Sequence, residues 1–202
     1  MILQTILGSA ILGYFFGAIP IGYLVGQARG IDIRLYGSGR TGGTNVLRTL
    51  GARAALITVL GDITKGIAAV VAASILFQAE TPKVVAGVFA IIGHSKSVFI
   101  GWRGGAGVAT GSGAMLALYP PVFLLLLPVG IGLVLVTRVA SVASITVACL
   151  GPIAIAYFVS QNLEPLEHIG FGLFGLVWGL FVHAGNLHRL IQGKERRIGE
   201  KS

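Results

Sequence analysis

The sequence predicts an all-α, polytopic membrane bundle of about seven transmembrane helices, with the amino terminus outside and the carboxyl terminus in the cytoplasm. Three observations predict it. Apolar residues make up 54% of the 202 residues and charged residues only 11%, against about 25% charged in a soluble domain. Seven apolar segments can be marked near 2–27, 54–78, 83–100, 107–119, 121–137, 141–160 and 168–188, against the roughly 20 residues a helix needs to cross the hydrocarbon core. Threading these segments alternately places the basic residues on one side. The length allows one domain, 1–202, of several spans, with no separate soluble module.

The first segment lacks a basic leader and an evident cleavage site, so a retained span is expected. The fourth is short and ends at Tyr119-Pro120-Pro121, which predicts an oblique or incomplete crossing. The proline pair stops one helix and suits the first turn of the next. In the last segment, Gly170, Gly172, Gly175 and Gly179 are spaced to let helices approach closely. The single Cys149 lies in an apolar run and offers neither a disulfide framework nor a cysteine metal site.

Charge orients the bundle. With the amino terminus outside, Arg29, Arg34, Arg40, Arg48 and Arg53 share the first inner loop. Lys96 and Arg103 fall in the second inner loop and Arg138 in the third, while Arg189, Lys194, Arg196, Arg197 and Lys201 lie on an inner tail. Thirteen of the fifteen basic residues are then internal, with Lys83 outside and Lys65 within a span. The net charge of +8 therefore reads as topology and headgroup contact rather than nucleic-acid binding.

Four polar clusters share this inner face. Residues 37–48 hold four glycines, a serine, two threonines, an asparagine and two arginines. Glycine backbone amides approach a ligand closely, and hydroxyls and arginines add the donors that a phosphate or carboxylate needs. Half of an anion site is expected here. Asp62 and Lys65, three apart in the second span, can pair; either the pair is structural or Lys65 points at the anion. Gly93-His94, followed by Gly101–Thr110, places a second glycine-rich turn before a helix, another anion-friendly junction. It is not a Walker A motif. A lone His94 would ordinarily bond a nearby carbonyl. Fourth, His183 and Asn186 stand one turn apart where the chain leaves the membrane. The basic run beyond them suits anionic headgroups.

The order of these clusters resembles the bacterial acylphosphate-dependent glycerol-3-phosphate acyltransferase family, small seven-span membrane enzymes. The family's Gly-Ser-Gly-Asn-x-Gly-Ala-Thr-Asn-x-x-Arg loop is matched by 37–48 and its Asp-x-x-Lys-Gly by 62–66. Its Gly-His and Lys-Gly-Gly-Lys-Gly-Val-Ala-Thr stretches are matched by 93–94 and 103–110. Its His-x-x-Asn-x-x-Arg-Leu-x-x-Gly tail is matched by 183–193. The resemblance runs nearly end to end. It implies transfer of a fatty acyl group from acyl phosphate to the sn-1 hydroxyl of glycerol 3-phosphate, giving lysophosphatidate and phosphate, at the cytoplasmic face of a bacterial plasma membrane.

It further implies that Ser38 positions substrate by hydrogen bonding, with a covalent acyl-serine as the second option. His183 is a candidate proton acceptor, the alternative being a phosphate oxygen of the donor. Substrate and phosphate contacts are expected from Gly37, Gly39, Arg40, Thr44, Asn45, Arg48, Lys65, His94, Arg103, Gly104, Gly105 and Gly107, with Thr44, Asn45 and Arg48 candidates for loop contacts as well. Asn186 is expected to hold His183 or a substrate hydroxyl. No cofactor and no metal are expected: the four histidines are scattered, and no dinucleotide-binding or acyl-thioester-binding motif is present. Membrane lipid is the expected surrounding, nucleic acid is not an expected partner, and a monomer is the working state.

Three positions depart from the family pattern. Arg103 replaces a lysine, Ala106 stands where a second lysine would be, and Arg40 replaces an asparagine. The expectation is that Arg40 and Arg103 supply the charge lost at 106. The alternative is a divergent, weakly active or silent lipid-phosphate binder of the same fold. A small-solute transporter fits less well, because the polar motifs gather toward one face and no inverted repeat is evident.

Overall fold

A computed structural model describes residues 2–199. Among these residues the chain is helical, with no strand. Met1 and Lys201, the ends of the threaded chain, lie outside the described residues. The chain divides into two compact units, one running to Leu118 and the other starting at Tyr119.

In the first unit, α1 (Ile2–Ala18) and α2 (Ile21–Gln27) are separated at Pro20, which has no N–H to continue the helix. Helix α3 (Gly43–Leu50) is short, and α4 (Ala52–Phe77) and α5 (Glu80–Ser95) are long. The interior is built from small residues. A Cβ on Gly13 or Gly17 of α1 would overlap the backbone of Ala86 or Ala90 on α5, so these two helices touch main chain to main chain. The same holds between Gly66 on α4 and Thr110 on α6 (Val108–Leu118), and between Gly113 on α6 and Ile63 on α4. Beside them Val46 of α3 packs with Ile33, Ala54 and Ala55, which anchors the polar loop between α2 and α3 to the start of α4.

In the second unit, α7 (Pro120–Thr137) begins on the proline pair, and α8 (Ala140–Ser160) follows after Arg138, whose φ is +57°. Gly172 of α9 (His168–Val182) lies against Pro152 and Ile155, and Gly179 against Ala148, whereas Gly170 and Gly175 face open space. Only two of the four glycines expected at a helix contact are therefore in one. Fully buried Tyr119 packs on His168 and Phe171 at ring-centroid distances of 4.6 and 5.8 Å. The chain bends by 60° between α9 and α10 (Ala184–Ile191).

All seven apolar segments are helical, but they are not seven equal spans. Five stretches are long and apolar enough to cross a membrane: Ile2–Gln27, Ala52–Phe77, Glu80–Ile100, Pro120–Thr137 and Ala140–Ser160. The bent pair α9–α10 makes up to six. The remaining segment, α6, has 11 residues and at 1.5 Å per residue reaches about half the hydrocarbon thickness.

Candidate active site

The polar loop is organised by one buried amide. Asp32 opens a 3-10 turn over Ile33–Leu35 by accepting from the Arg34 N–H at 3.0 Å. The chain then turns through Gly37 and Gly39, whose φ values are +57° and +69°. Asn45, on the first turn of α3 and 2% exposed, reaches back into this turn. Its Nδ2 donates to the carbonyls of Ile33, Tyr36 and Arg40 at 3.2, 3.0 and 2.9 Å, and its Oδ1 accepts from the Ser38 N–H at 2.9 Å. A Cβ on Gly37 would overlap that Oδ1, so glycine is needed there for space as well as for φ. Ser38 is left exposed, at the crest of the turn. Of the phosphate and loop contacts expected of Asn45, the loop contacts are the ones seen: its amide is committed to the turn and shapes the site from beneath.

The second glycine segment folds back on the end of α5. The Gly104 N–H donates to Ser95 O at 3.1 Å, Gly105 N–H to His94 O at 3.3 Å and Trp102 N–H to Ser97 O at 2.8 Å. Gly107, at φ +83°, leads into α6. The two segments meet: a Cβ on Gly105 would lie 3.2 Å from the Gly42 nitrogen, and Arg34 Nη1 donates to Ile100 O at 2.9 Å. Arg34 also pairs with Asp32 at 2.7 Å and lies over the Tyr23 ring at 4.7 Å. Its hydrogen bond holds the Asp32 carboxyl below the usual carboxylate range, and the charge of Arg103 acts the same way. Arg103 is exposed, while Arg40, Thr44, Arg48 and Gly104 are half-buried around these turns.

Two expectations for charged and titratable groups are corrected. Lys65 does not point at the loop. Its ammonium is 2.7 Å from Asp62 Oδ1 and donates to Ile19 O at 2.8 Å. That carbonyl sits at the Pro20 break, and the structural reading of the pair is the one realised. His94 does not bond a carbonyl, nor does it lie open to solvent. It is 5% exposed, with Nδ1 3.1 Å from Thr110 Oγ1 and 3.4 Å from Asp62 Oδ1.

In the second unit, His183 is buried and its Nδ1 lies 2.9 Å from Gly179 O. That bond places the ring proton on Nδ1 and the lone pair of the neutral ring on Nε2. Asn186 Nδ2 donates not to His183 but to Glu195 Oε1 at 2.7 Å. Glu195 was not among the residues singled out, yet it gathers the tail. Ser141 Oγ donates to Oε1 at 3.0 Å and Arg189 Nε to Oε2 at 2.8 Å. Burial alone would raise the Glu195 carboxyl, but the three donors outweigh it and hold it below the usual range. The signal for Glu195 was its isolation, one carboxylate between Lys194 and Arg196.

A family model described as Glycerol-3-phosphate acyltransferase matches residues 7–193. The chain belongs to the glycerol-3-phosphate acyltransferase family. Relatives of that name include one from Synechococcus sp. (strain JA-2-3B'a(2-13)), 43% identical, the match covering 98% of this chain and 96% of the relative. Another, from Symbiobacterium thermophilum, is 43% identical over 99% of this chain and 98% of its own. The fold is similar to crystal structures of PlsY (YgiH), described as an integral membrane glycerol 3-phosphate acyltransferase. Its glycerol 3-phosphate form aligns with a TM-score of 0.86 at 31% identity over 96% of each chain. Its lysophosphatidic acid form aligns at 0.85 and 30%, over 96% of this chain and 95% of that one. The chain is accordingly a multi-pass membrane acyltransferase.

Proposed function

We propose that this acyltransferase uses acyl phosphate as donor and glycerol 3-phosphate as acceptor, acting as a single domain at the cytoplasmic face of a bacterial inner membrane. The amino terminus is then outside and the carboxyl terminus inside, with a monomer as the working unit. The observation that carries this reading is the meeting of two glycine-rich segments at Gly42 and Gly105. Two phosphorylated substrates call for two anion-binding turns at close quarters, and glycine lets these two main chains approach each other and a ligand closely enough.

In the reaction, the sn-1 oxygen of glycerol 3-phosphate attacks the acyl carbon and forms the ester bond. The bond from that carbon to the phosphate oxygen breaks, and phosphate leaves with its electron pair. The hydroxyl proton passes to an oxygen of the departing phosphate or to a general base, the part for which His183 was the sequence candidate. Acyl phosphate is already activated, so orientation and charge stabilisation supply most of the rate enhancement. Ser38 fits a positioning role, since Asn45 presents it at an exposed crest. Arg40, Thr44, Arg48 and Arg103 are the proposed phosphate contacts of side chains and Gly37 and Gly107 those of main chain, while the amides of Gly39, Gly104 and Gly105 are taken by the carbonyls of Tyr36, Ser95 and His94 and shape the two turns.

The test is phosphate release by purified protein in detergent, with palmitoyl phosphate and glycerol 3-phosphate together and apart. Release that needs both, with lysophosphatidate formed, is expected. No product from a folded sample that still binds acyl phosphate would overturn the reading in favour of a silent lipid-phosphate binder.

A further inference from the structure

Four polar side chains are sealed into the apolar interior of the first unit. Asp62 and Lys65 on α4, His94 on α5 and Thr110 on α6 are each at most 5% exposed. Replacing a buried ionic group by well-packed apolar residues often leaves stability unchanged or improves it, so such a network is better explained by what it holds in place. Here it runs in one direction. Ile19 O takes the Lys65 ammonium, Lys65 pairs with Asp62, and Asp62 and Thr110 both face His94 Nδ1. The polar partners therefore lie on the Nδ1 side of the ring. The opposite edge lies against Gly105, where an added Cβ would overlap Nε2 and stand 3.2 Å from both Cε1 and the Gly42 nitrogen.

We propose that His94 is a positioning residue: fixed at Nδ1 by Asp62 and Thr110, its Nε2 edge sets Gly105 against Gly42 and holds the two glycine segments in register for phosphate binding. This rests on reading those segments as phosphate sites. A side chain tied to helices α4 and α6 transmits their placement to Gly104 and Gly105, which have no side chains of their own to pack. His94 then acts on substrate only through Gly105.

The experiment uses the full chain in detergent with two readouts, steady-state kinetics and the rise in Tm on adding glycerol 3-phosphate or palmitoyl phosphate. His94→Asn keeps a polar group at the Nδ1 position and deletes the Nε2 edge. It is expected to raise KM for one or both phosphorylated substrates about tenfold with kcat within about twofold, a loss of ground-state binding. The ligand-induced Tm rise should shrink while the Tm without ligand changes little. Gly105→Ala should act in the same direction. In the double variant the two losses should not multiply, because the methyl group enters space the ring has left. Thr110→Val, which frees Nδ1 from its hydroxyl, should raise KM as well, and Thr110→Ser should restore it.

Unchanged KM in His94→Asn, or losses that multiply in the double variant, overturn the proposal. So does a fall in Tm and kcat with KM unmoved, which is what a purely structural network would give. If His94→Asn does not fold, the Thr110 pair decides by the same KM criterion. If the wild type forms no product, the acyl-transfer reading fails. A phosphate-ligand Tm rise that His94→Asn weakens would still uphold the positioning role, and its absence or persistence would end it.

Discussion

Two polar side chains, Asn45 in the first unit and Glu195 in the second, do the same job with opposite chemistry. Each is buried and gathers groups distant in sequence into one local shape. Asn45 meets three carbonyls and one N–H, whereas Glu195 meets three donors. An amide presents donors and an acceptor together, while a carboxylate only accepts. The mixed main-chain partners of the loop therefore call for asparagine, and the all-donor partners of the tail call for glutamate. The loop organiser carries no charge and is indifferent to pH; the tail organiser depends on its charge.

Asn45→Asp breaks the comparison most severely. The isosteric carboxylate would face three carbonyls with no proton to give, and each buried group left unpaired costs about 1–3 kcal/mol. The expected outcome is a fall in kcat/KM of roughly 100-fold or more, with the Ser38 turn no longer held. Activity of Asn45→Asp close to wild type would show that the amide network does not shape the site.

Glu195→Gln is the reciprocal change and should be milder. It keeps one acceptor oxygen but sets an NH2 group against a donor and removes the charge partner of Arg189. A loss of about 1.5–3 kcal/mol in stability is expected at pH 7, the range for hydrogen bonds to a charged group. The Glu195 pKa is lowered on folding, so its contribution is complete above the ordinary glutamate value of about 4.3. It is lost as pH falls through the lower folded value. Thermal unfolding followed from pH 7 to pH 3 should show this acid-sensitive component in the wild type and lack it in Glu195→Gln. The same component persisting in the variant would assign it to another carboxylate.

The comparison also shows what a sequence can and cannot disclose. Helical class, the position of every apolar segment and the proline-marked start of α7 were legible because they depend on local composition. The Asp62–Lys65 pair was legible from its spacing of three. The aim of Lys65 was not, because the carbonyl it satisfies is that of Ile19, distant in sequence and left open by the break at Pro20 between α1 and α2. The close-contact glycines were found only in part for the same reason: Gly172 and Gly179 are in contact, but Gly13, Gly17, Gly66 and Gly113 also matter through the backbone opposite, which no spacing within one segment reveals. Asn45 stood out as a loop residue, but its partners span residues 33 to 40 and could be counted only in three dimensions. Glu195 went unremarked because an exposed-looking basic tail conceals that this carboxylate is turned inward.

The smallest expected effect sharpens the comparison from the other side. Asn45 donates to the main-chain carbonyl of Arg40, so changing that side chain keeps this bond while removing the charge. Arg40→Asn should raise KM for a phosphorylated substrate about threefold to tenfold, about 0.7–1.4 kcal/mol, with thermal stability unchanged. Ala106→Lys, which places a cation on the half-buried second turn, should reverse that loss when combined with Arg40→Asn. If Arg40→Asn leaves activity and inhibition by phosphate unchanged in both backgrounds, Arg40 does not stand in for a cation at 106. If it lowers stability as well, the loop depends on more of Arg40 than its carbonyl, and the division between a neutral organiser and its charged neighbours must be redrawn.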